Sequence, residues 1–438
     1  MVTLTKLLTR IDSVNVLVIG DLLFDVYTKG KVNRISPEAP VPVLHVSEIS
    51  KLPGGAGNVA LNLKALGANV SLISRIGNDR DGKHLLELLE EKALSINSIF
   101  TQKNLKTFVK NRFIAEGQQL IRADYEEIEP LSVELEEKIK KLITEEILKY
   151  NLIAVSDYGK GLLSESLLEF IIFSANKNKI PIIVDPKGTD FTKYHGAFLL
   201  KPNNKEAFIA AGCEEEEPIE VVAKKIFEKT EVSHLLITRS EKGMILFSRD
   251  LQYKNFPVMP KDVIDVTGAG DTALAMLAMG LANELSFDHT IELANIASSI
   301  AIERLGCANI KFSEVAKILL KKDPINKIIS DENQIFILEK ATEDLPLIYV
   351  FLEEKDVSTQ SLHWIKEIAG DKAGAELIVH VKSKNEEAPF IQLLASLPEI
   401  DYVLVVALDK KRFVKRLKST KVYNFKDSDK YLALTSPS

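Results

Sequence analysis

Five short runs, at residues 16–19, 153–155, 182–184, 198–200 and 235–238, are apolar almost without interruption and rich in Val, Ile and Leu. Runs of this length with no polar alternation suit strands covered on both faces. Between them, 162–176 and 205–211 carry helical apolar spacing. Alternating strands and helices predict an α/β fold with a doubly wound, mainly parallel sheet.

Two segments depart from that pattern. Residues 31–46 and 106–124 alternate apolar with polar positions, and Pro37, Pro40 and Pro42 interrupt the first. Proline cannot donate to a ladder, so such strands sit at edges. They are expected to form a small antiparallel flap, or lid, that leaves the main sheet and covers a cleft. Beyond residue 306 the apolar helices end, and a lysine-rich stretch, 317–327, is expected as a linker. Strand candidates at 347–351, 377–381 and 402–406, with a helix candidate at 361–369, predict a second, smaller α/β unit of the Rossmann-like kind. The expected domains are therefore 1–320 and 330–438.

With 438 residues, 46% hydrophobic and 27% charged, the chain has material for two folded units. Its net charge of -6 gives no broad basic field for nucleic acid or anionic membranes, which leaves small molecules and proteins as partners. The apolar pieces at the N-terminus are too short and too interrupted for a signal peptide or span, so a cytoplasmic location is expected. Cys213 and Cys307 lie far apart without metal-ligand spacing, and the acidic run 214–217 reads as a solvated loop.

The densest chemistry is Asp265-Val-Thr-Gly-Ala-Gly-Asp271, which opens a small-residue apolar helix. Gly268, Ala269 and Gly270 let amides converge at a helix N-terminus, where the dipole favours an anion such as phosphate. Asp271 beside a bound phosphoryl group would take a proton from an attacking hydroxyl; the other reading is an ordinary capping aspartate after a glycine turn. No G-x-x-x-x-G-K-[ST], G-x-G-x-x-G, G-x-S-x-G or H-E-x-x-H occurs. A second cluster, Pro53-Gly-Gly-Ala-Gly-Asn58, leads into another helix. Paired glycines admit a ligand close to the backbone, and Asn58 offers a donor and an acceptor to a polyol. With Asp21 and Asp25 after the first strand, the cluster reads as a sugar site, each aspartate also suiting a cap or turn.

Gly54-Gly55-Ala-Gly-Asn58, the downstream Gly77-Asn-Asp79-Arg-Asp-Gly82 and 265–271 together resemble the two signatures of the ribokinase, or PfkB, family of sugar kinases. Arg34-Ile-Ser-Pro-Glu, Gln119-Leu-Ile-Arg-Ala-Asp124, Ser156-Asp-Tyr-Gly-Lys-Gly161, Asp185-Pro-Lys-Gly and Thr238-Arg-Ser-Glu-Lys-Gly243 narrow the likeness to its D-glycero-D-manno-heptose 7-phosphate kinases, over about residues 10–315. The resemblance implies ATP-dependent phosphorylation of the anomeric hydroxyl of heptose 7-phosphate, giving the 1,7-bisphosphate of ADP-heptose and lipopolysaccharide biosynthesis. Asp271 is then the general base, with the 268–270 amides around the transferring group. Asp21, Asp25, Gly54, Gly55 and Asn58 hold sugar hydroxyls. Asn203 and Glu206 organise Mg²⁺ through water, Lys187 reaches phosphates, and Thr238, Gly243 and Asn295 follow the nucleotide. For the far phosphate the flap offers Arg34, Lys110, Arg112 and Arg122, two of which are expected to serve. The family also implies a homodimer through the flap. Another sugar or nucleoside kinase, or a non-catalytic sensor on the same scaffold, remains as an alternative.

Kinases of this type often continue into a cytidylyltransferase-like domain that carries an H-x-G-H pair. Here neither His363 nor His380 has that spacing, and 352–360, where the pair belongs, is acidic and without glycine. The tail is therefore expected to be a degenerate relative without adenylyl transfer, or an unrelated appendage.

Overall fold

The computed structural model describes residues 8, 11–258, 263–321, 324–343, 345–353, 358–372, 374–383, 385–406, 417, 421–426 and 429–433. It separates into two compact units, Asp12–Ile310 and Met1–Ile11 with Lys311–Ser438.

In the first unit nine strands form one sheet, in the order Tyr253–Phe256, Met244–Ser248, His234–Thr238, Leu199–Leu200, Ile182–Asp185, Leu152–Ser156, Asn15–Gly20, Asn69–Gly77, Ile99–Gln102. Neighbours pair in parallel except at the Tyr253–Phe256 edge, where two pairings are antiparallel. The apolar runs make the centre: Val16, Val18, Ile19, Ile153, Val155, Ile182, Val184 and Leu235 are all fully buried. Each such side chain contributes about 1.5–3 kcal/mol on leaving water. After Asn15–Gly20 the chain first builds the side carrying Asn69–Gly77, then returns to the side carrying Leu152–Ser156. Ligand crevices open beyond the carboxyl ends of strands at such a reversal.

The flap is a separate four-stranded sheet, ordered Pro42–Gly55, Leu22–Ile35, Val109–Ala115, Gln118–Tyr125. Its two hairpins are antiparallel and join through parallel pairing of Leu22–Ile35 with Val109–Ala115. Only Asp21 separates Leu22–Ile35 from the first strand of the main sheet, so the flap's root is fixed by the core.

The second unit holds a six-stranded sheet ordered Ile328–Ile329, Tyr402–Leu404, Glu376–Lys382, Leu347–Glu353, Lys421–Lys426, Asp429–Ala433, parallel except for the last pair. From Leu347–Glu353 the chain again builds first to one side and then to the other, the doubly wound arrangement expected of the tail. The lysine-rich stretch carries the helix Phe312–Lys321, which belongs with this unit. Lys317 and Lys321 bind Glu376 at 2.5 and 2.8 Å, and Lys321 reaches Asp401 at 3.1 Å. Residues 322–323 of that stretch and 354–357 of the acidic segment lie outside the described residues.

Candidate active site

Asp271 stands in the first turn of the helix Ala269–Ala282, which is buried on nearly every side, as its run of Ala, Leu and Met dictates. The helix begins at Gly268, whose φ of 79° favours glycine, and no side chain caps its first amides. A side chain at 268 would also press on the Asn58 amide, 2.8 Å from where its Cβ would stand.

Asp271 is 3% exposed. Its Oδ2 accepts from Asn58 Nδ2 at 2.8 Å and its Oδ1 from the Tyr158 hydroxyl at 2.8 Å. Asn58 is itself held, because Asn62 Nδ2 donates to its Oδ1 at 3.1 Å and Ile310 N donates to Asn62 Oδ1 at 3.0 Å. Burial pushes the Asp271 pKa up to about 7; the nearby Asp185 charge adds to the rise, while the bonds from Asn58 and Tyr158 and the charge of Lys201 oppose it.

A cavity of about 210 Å³ opens beside this group, lined by Asp157, Tyr158, Asp185, Lys187, Lys201, Asn203, Glu206, Thr238, Gly268, Gly270 and Asp271, with Pro186. Most come from carboxyl ends of the parallel strands: Asp157 follows Leu152–Ser156, Asp185 ends Ile182–Asp185, Lys201 follows Leu199–Leu200 and Thr238 ends His234–Thr238. Three of the cavity's carboxylates have a lysine partner. Asp157 binds Lys193 at 2.7 Å, Asp185 binds Lys201 at 2.9 Å and Glu206 binds Lys187 at 2.6 Å. Among the described residues Asp271 has two neutral donors and no ion pair. Burial raises the pKa of Asp185 as well, against the charge of Lys201, so what distinguishes Asp271 is that its described partners are neutral.

Of the residues expected around the nucleotide, Lys187, Asn203, Glu206 and Thr238 share this cavity. Asn203 and Glu206 also form a capping box on the helix Asn204–Ala211: Glu206 N donates to Asn203 Oδ1 at 2.8 Å, and Asn203 N to Glu206 Oε2 at 3.1 Å. Gly243 and Asn295 do not line the cavity. Gly243, at φ 78°, lets the chain pass against the Phe256 carbonyl, and Asn295 donates to Phe256 O at 3.1 Å.

The sugar-side residues are engaged by groups of the protein itself. Asp21 gives both oxygens to the loop after Leu152–Ser156, accepting from Tyr158 N at 3.0 Å, Lys160 N at 2.9 Å and Leu162 N at 3.3 Å. Asp25 is buried against the Arg112 guanidinium, with Cys307 Sγ at 3.5 Å. A Cβ on Gly54 would overlap the Asp25 carboxylate, and one on Gly55 the Asp21 carbonyl. Of the flap cations, Arg112 is turned onto Asp25 and stacks on Tyr27, and Arg122 grips Asp124 through two bonds of 2.8 and 2.9 Å. Lys110 lies over the Tyr158 ring at 5.0 Å, its pKa lowered mainly by burial. Arg34 is exposed near the far end of Leu22–Ile35. Tyr158, Asp185, Lys201 and Asn62 join the site without a role that the sequence announces. For Lys201 the available signal is its place directly after an apolar run, where a doubly wound sheet presents ligand-binding groups.

Mg²⁺ suits this oxygen-rich cavity if held through its water shell, since no three His, Cys, Asp or Glu among the described residues stand close enough to grip an ion directly.

The nine-stranded, mainly parallel sheet with its separate four-stranded flap is a ribokinase-like fold, and helix amides without a side-chain cap beside a buried carboxylate suit the handling of a phosphate. A family model described as pfkB family carbohydrate kinase matches residues 14–313, and the chain belongs to that family. It is 43% identical over 304 residues to the bifunctional protein HldE of Geobacter metallireducens, covering 69% of this chain and 62% of that protein. With the bifunctional protein HldE of Aliarcobacter butzleri it shares 37% identity over 410 residues, 89% of this chain and 85% of the relative. The chain thus spans somewhat under two thirds of the Geobacter protein's length. Among solved structures, Arabidopsis thaliana ribokinase complexed with ribose and ATP matches 70% of this chain and 99% of its own, with a TM-score of 0.56 at 19% identity.

Proposed function

We propose that the protein transfers the γ-phosphoryl group of ATP to the anomeric hydroxyl of D-glycero-D-manno-heptose 7-phosphate. The observation that carries the reaction type is Asp271: alone among the cavity's carboxylates it has no lysine partner among the described residues, and it stands at the start of a helix without a side-chain cap. The substrate reading rests on the heptose-kinase motifs of the sequence, the similarity to HldE proteins and the cations of the flap.

In this reading the acceptor hydroxyl gives its proton to the Asp271 carboxylate while its oxygen forms the new bond to the γ-phosphorus. The bond from that phosphorus to the β,γ-bridging oxygen breaks, and ADP leaves with the bond's electron pair. Amides of residues 268–270 face the charge on the phosphoryl oxygens. Lys187, whose side chain is half exposed, can swing from Glu206 to a phosphate, and Lys201 keeps a fixed charge beneath the site. Asn203 and Glu206 would hold Mg²⁺ through water, and the ion, when bound, offsets negative charge on the β- and γ-phosphates.

Loss of the base costs roughly 10²–10⁴ in rate, so Asp271→Asn lowers ADP release by that factor while the fold is retained. A panel of phosphorylated and unphosphorylated sugars tests the acceptor; turnover confined to unphosphorylated sugars refutes heptose 7-phosphate. The engagement of Arg112 and Arg122 by Asp25 and Asp124 is what favours that second reading, a kinase for an unphosphorylated sugar.

For the tail, the chemistry of the sequence supports a doubly wound unit without adenylyl transfer. For the flap, exposed Ile35, Ile49 and Ile121 support a homodimer that covers them.

A further inference from the structure

The motif Ser156-Asp-Tyr-Gly-Lys-Gly161 places a tyrosine at the reacting centre that takes no part in the bond changes of phosphoryl transfer. Tyr158 follows the strand Leu152–Ser156 at the reversal of the sheet. Its amide is tied to Asp21 at 3.0 Å, and the next residue's amide donates to Asp157 at 2.7 Å. Lys110, from the flap strand Val109–Ala115, covers its ring. Anchored at backbone and ring, the side chain delivers its hydroxyl to Asp271 Oδ1 at 2.8 Å while Asn58 takes Oδ2.

We propose that Tyr158 is a positioning residue for phosphoryl transfer: its hydroxyl fixes the rotation of the Asp271 carboxylate and stabilises it as the anion before the sugar binds. The inference rests on Asp271 as the base. The two donors respond differently once the proton has moved. An amide N–H such as that of Asn58 can only donate, whereas a hydroxyl can also accept. When the carboxylate takes the sugar's proton, the Tyr158 hydroxyl turns a lone pair toward the new O–H and keeps its own proton, so no charge is stranded. Its own ionisation is excluded because burial, the charges of Asp271 and Asp185 and the bond to Asp271 hold its pKa far above the ordinary phenol value. Among the described residues, the charged or titratable groups facing Asp271 are Asp185 and Lys201 at the ends of neighbouring strands, Tyr158 itself and Cys307, whose thiol burial keeps protonated.

Aspartate labelled with ¹³C at its side-chain carboxyl reads the base without any substrate, the Asp271 signal being assigned by its loss in Asp271→Asn. Tyr158→Phe keeps the ring beneath Lys110 and removes one hydrogen bond to a charge, so the Asp271 midpoint rises by roughly one pH unit. The acidic limb of kcat/KM for ADP release moves up with it, whereas a purely structural tyrosine would lower activity equally at all pH values. 3-Chlorotyrosine at 158 keeps the hydroxyl and makes it a stronger donor, so there the midpoint falls. An unmoved midpoint in folded Tyr158→Phe, or a rise with chlorotyrosine, overturns the proposal. If Asp271→Asn itself leaves ADP release intact, the base assignment fails instead, and the two failures are told apart.

Discussion

The burial of Asp271 costs folding stability at neutral pH. Its pKa of about 7 lies above the ordinary 3.8 because burial strips its water and only neutral donors replace it. Between those two values the folded chain keeps a proton that the unfolded chain has released. The group's contribution is therefore most favourable below about pH 4 and is lost as pH rises through 7. Asp271→Asn escapes that loss. Its melting temperature is expected to exceed the wild type's at pH 8, by the equivalent of at most about 4 kcal/mol, with the gap narrowing as pH falls toward 5. Calorimetry across that range checks it; a gap that widens toward acid contradicts the raised pKa. In the proposed mechanism the same ionisation governs activity: a base that must be charged is expected to give kcat/KM an acidic limb near pH 7.

At the level of elements, the helix Asn204–Ala211 shows one pair of side chains doing two things. Asn203 and Glu206 close the helix start as a capping box while also lining the cavity. The cap holds both side chains at the cavity, where the proposed reading has them hold Mg²⁺ through water. Removing the cap with Asn203→Ala costs about 1 kcal/mol of stability, because the Glu206 amide loses the Asn203 Oδ1 acceptor, and the loosened helix start holds the Glu206 side chain less firmly. The expected kinetic result is a raised half-saturating Mg²⁺ concentration for ADP release, measured by magnesium titration at fixed ATP. An unchanged magnesium dependence would leave the pair a cap alone. The flap, read from alternation and proline, is built of longer strands than those patterns cover, because Leu22–Ile35 and Pro42–Gly55 run back into the core where alternation gives way to all-round burial.

Across the whole molecule, the cavity's residues and their hydrogen-bonded supports all fall within 12–310, and Ile310 closes the chain through Asn62 to Asn58. The helix Phe312–Lys321 is instead tied to Glu376 and Asp401 in the other unit by its lysines. A chain ending at Lys311 is therefore expected to keep measurable ADP release and, with its flap intact, to elute as a dimer on size-exclusion chromatography. Loss of activity in such a chain, still folded, would assign the tail a part in catalysis; a monomer would move the dimer contact out of the flap.

The architecture was legible because buried strands in a parallel sheet must be apolar on both faces, and 16–19, 153–155 and 182–184 carry that mark without help from the rest of the chain. The glycine-rich turn at 265–271 was legible for a similar reason: a local backbone shape writes itself into consecutive residues. Pairings between distant residues are another matter. That Asn58 bonds Asp271, 213 positions away, that Arg112 is taken up by Asp25, and that the Tyr158 hydroxyl reaches Asp271 come only from bringing strand ends together at the reversal of the sheet. The sequence by itself determined which groups were chemically able to act; the tertiary structure decided which carboxylates stand against lysines and which, among the described residues, meets neutral donors, because charge pairing and burial exist only between residues that the fold makes neighbours.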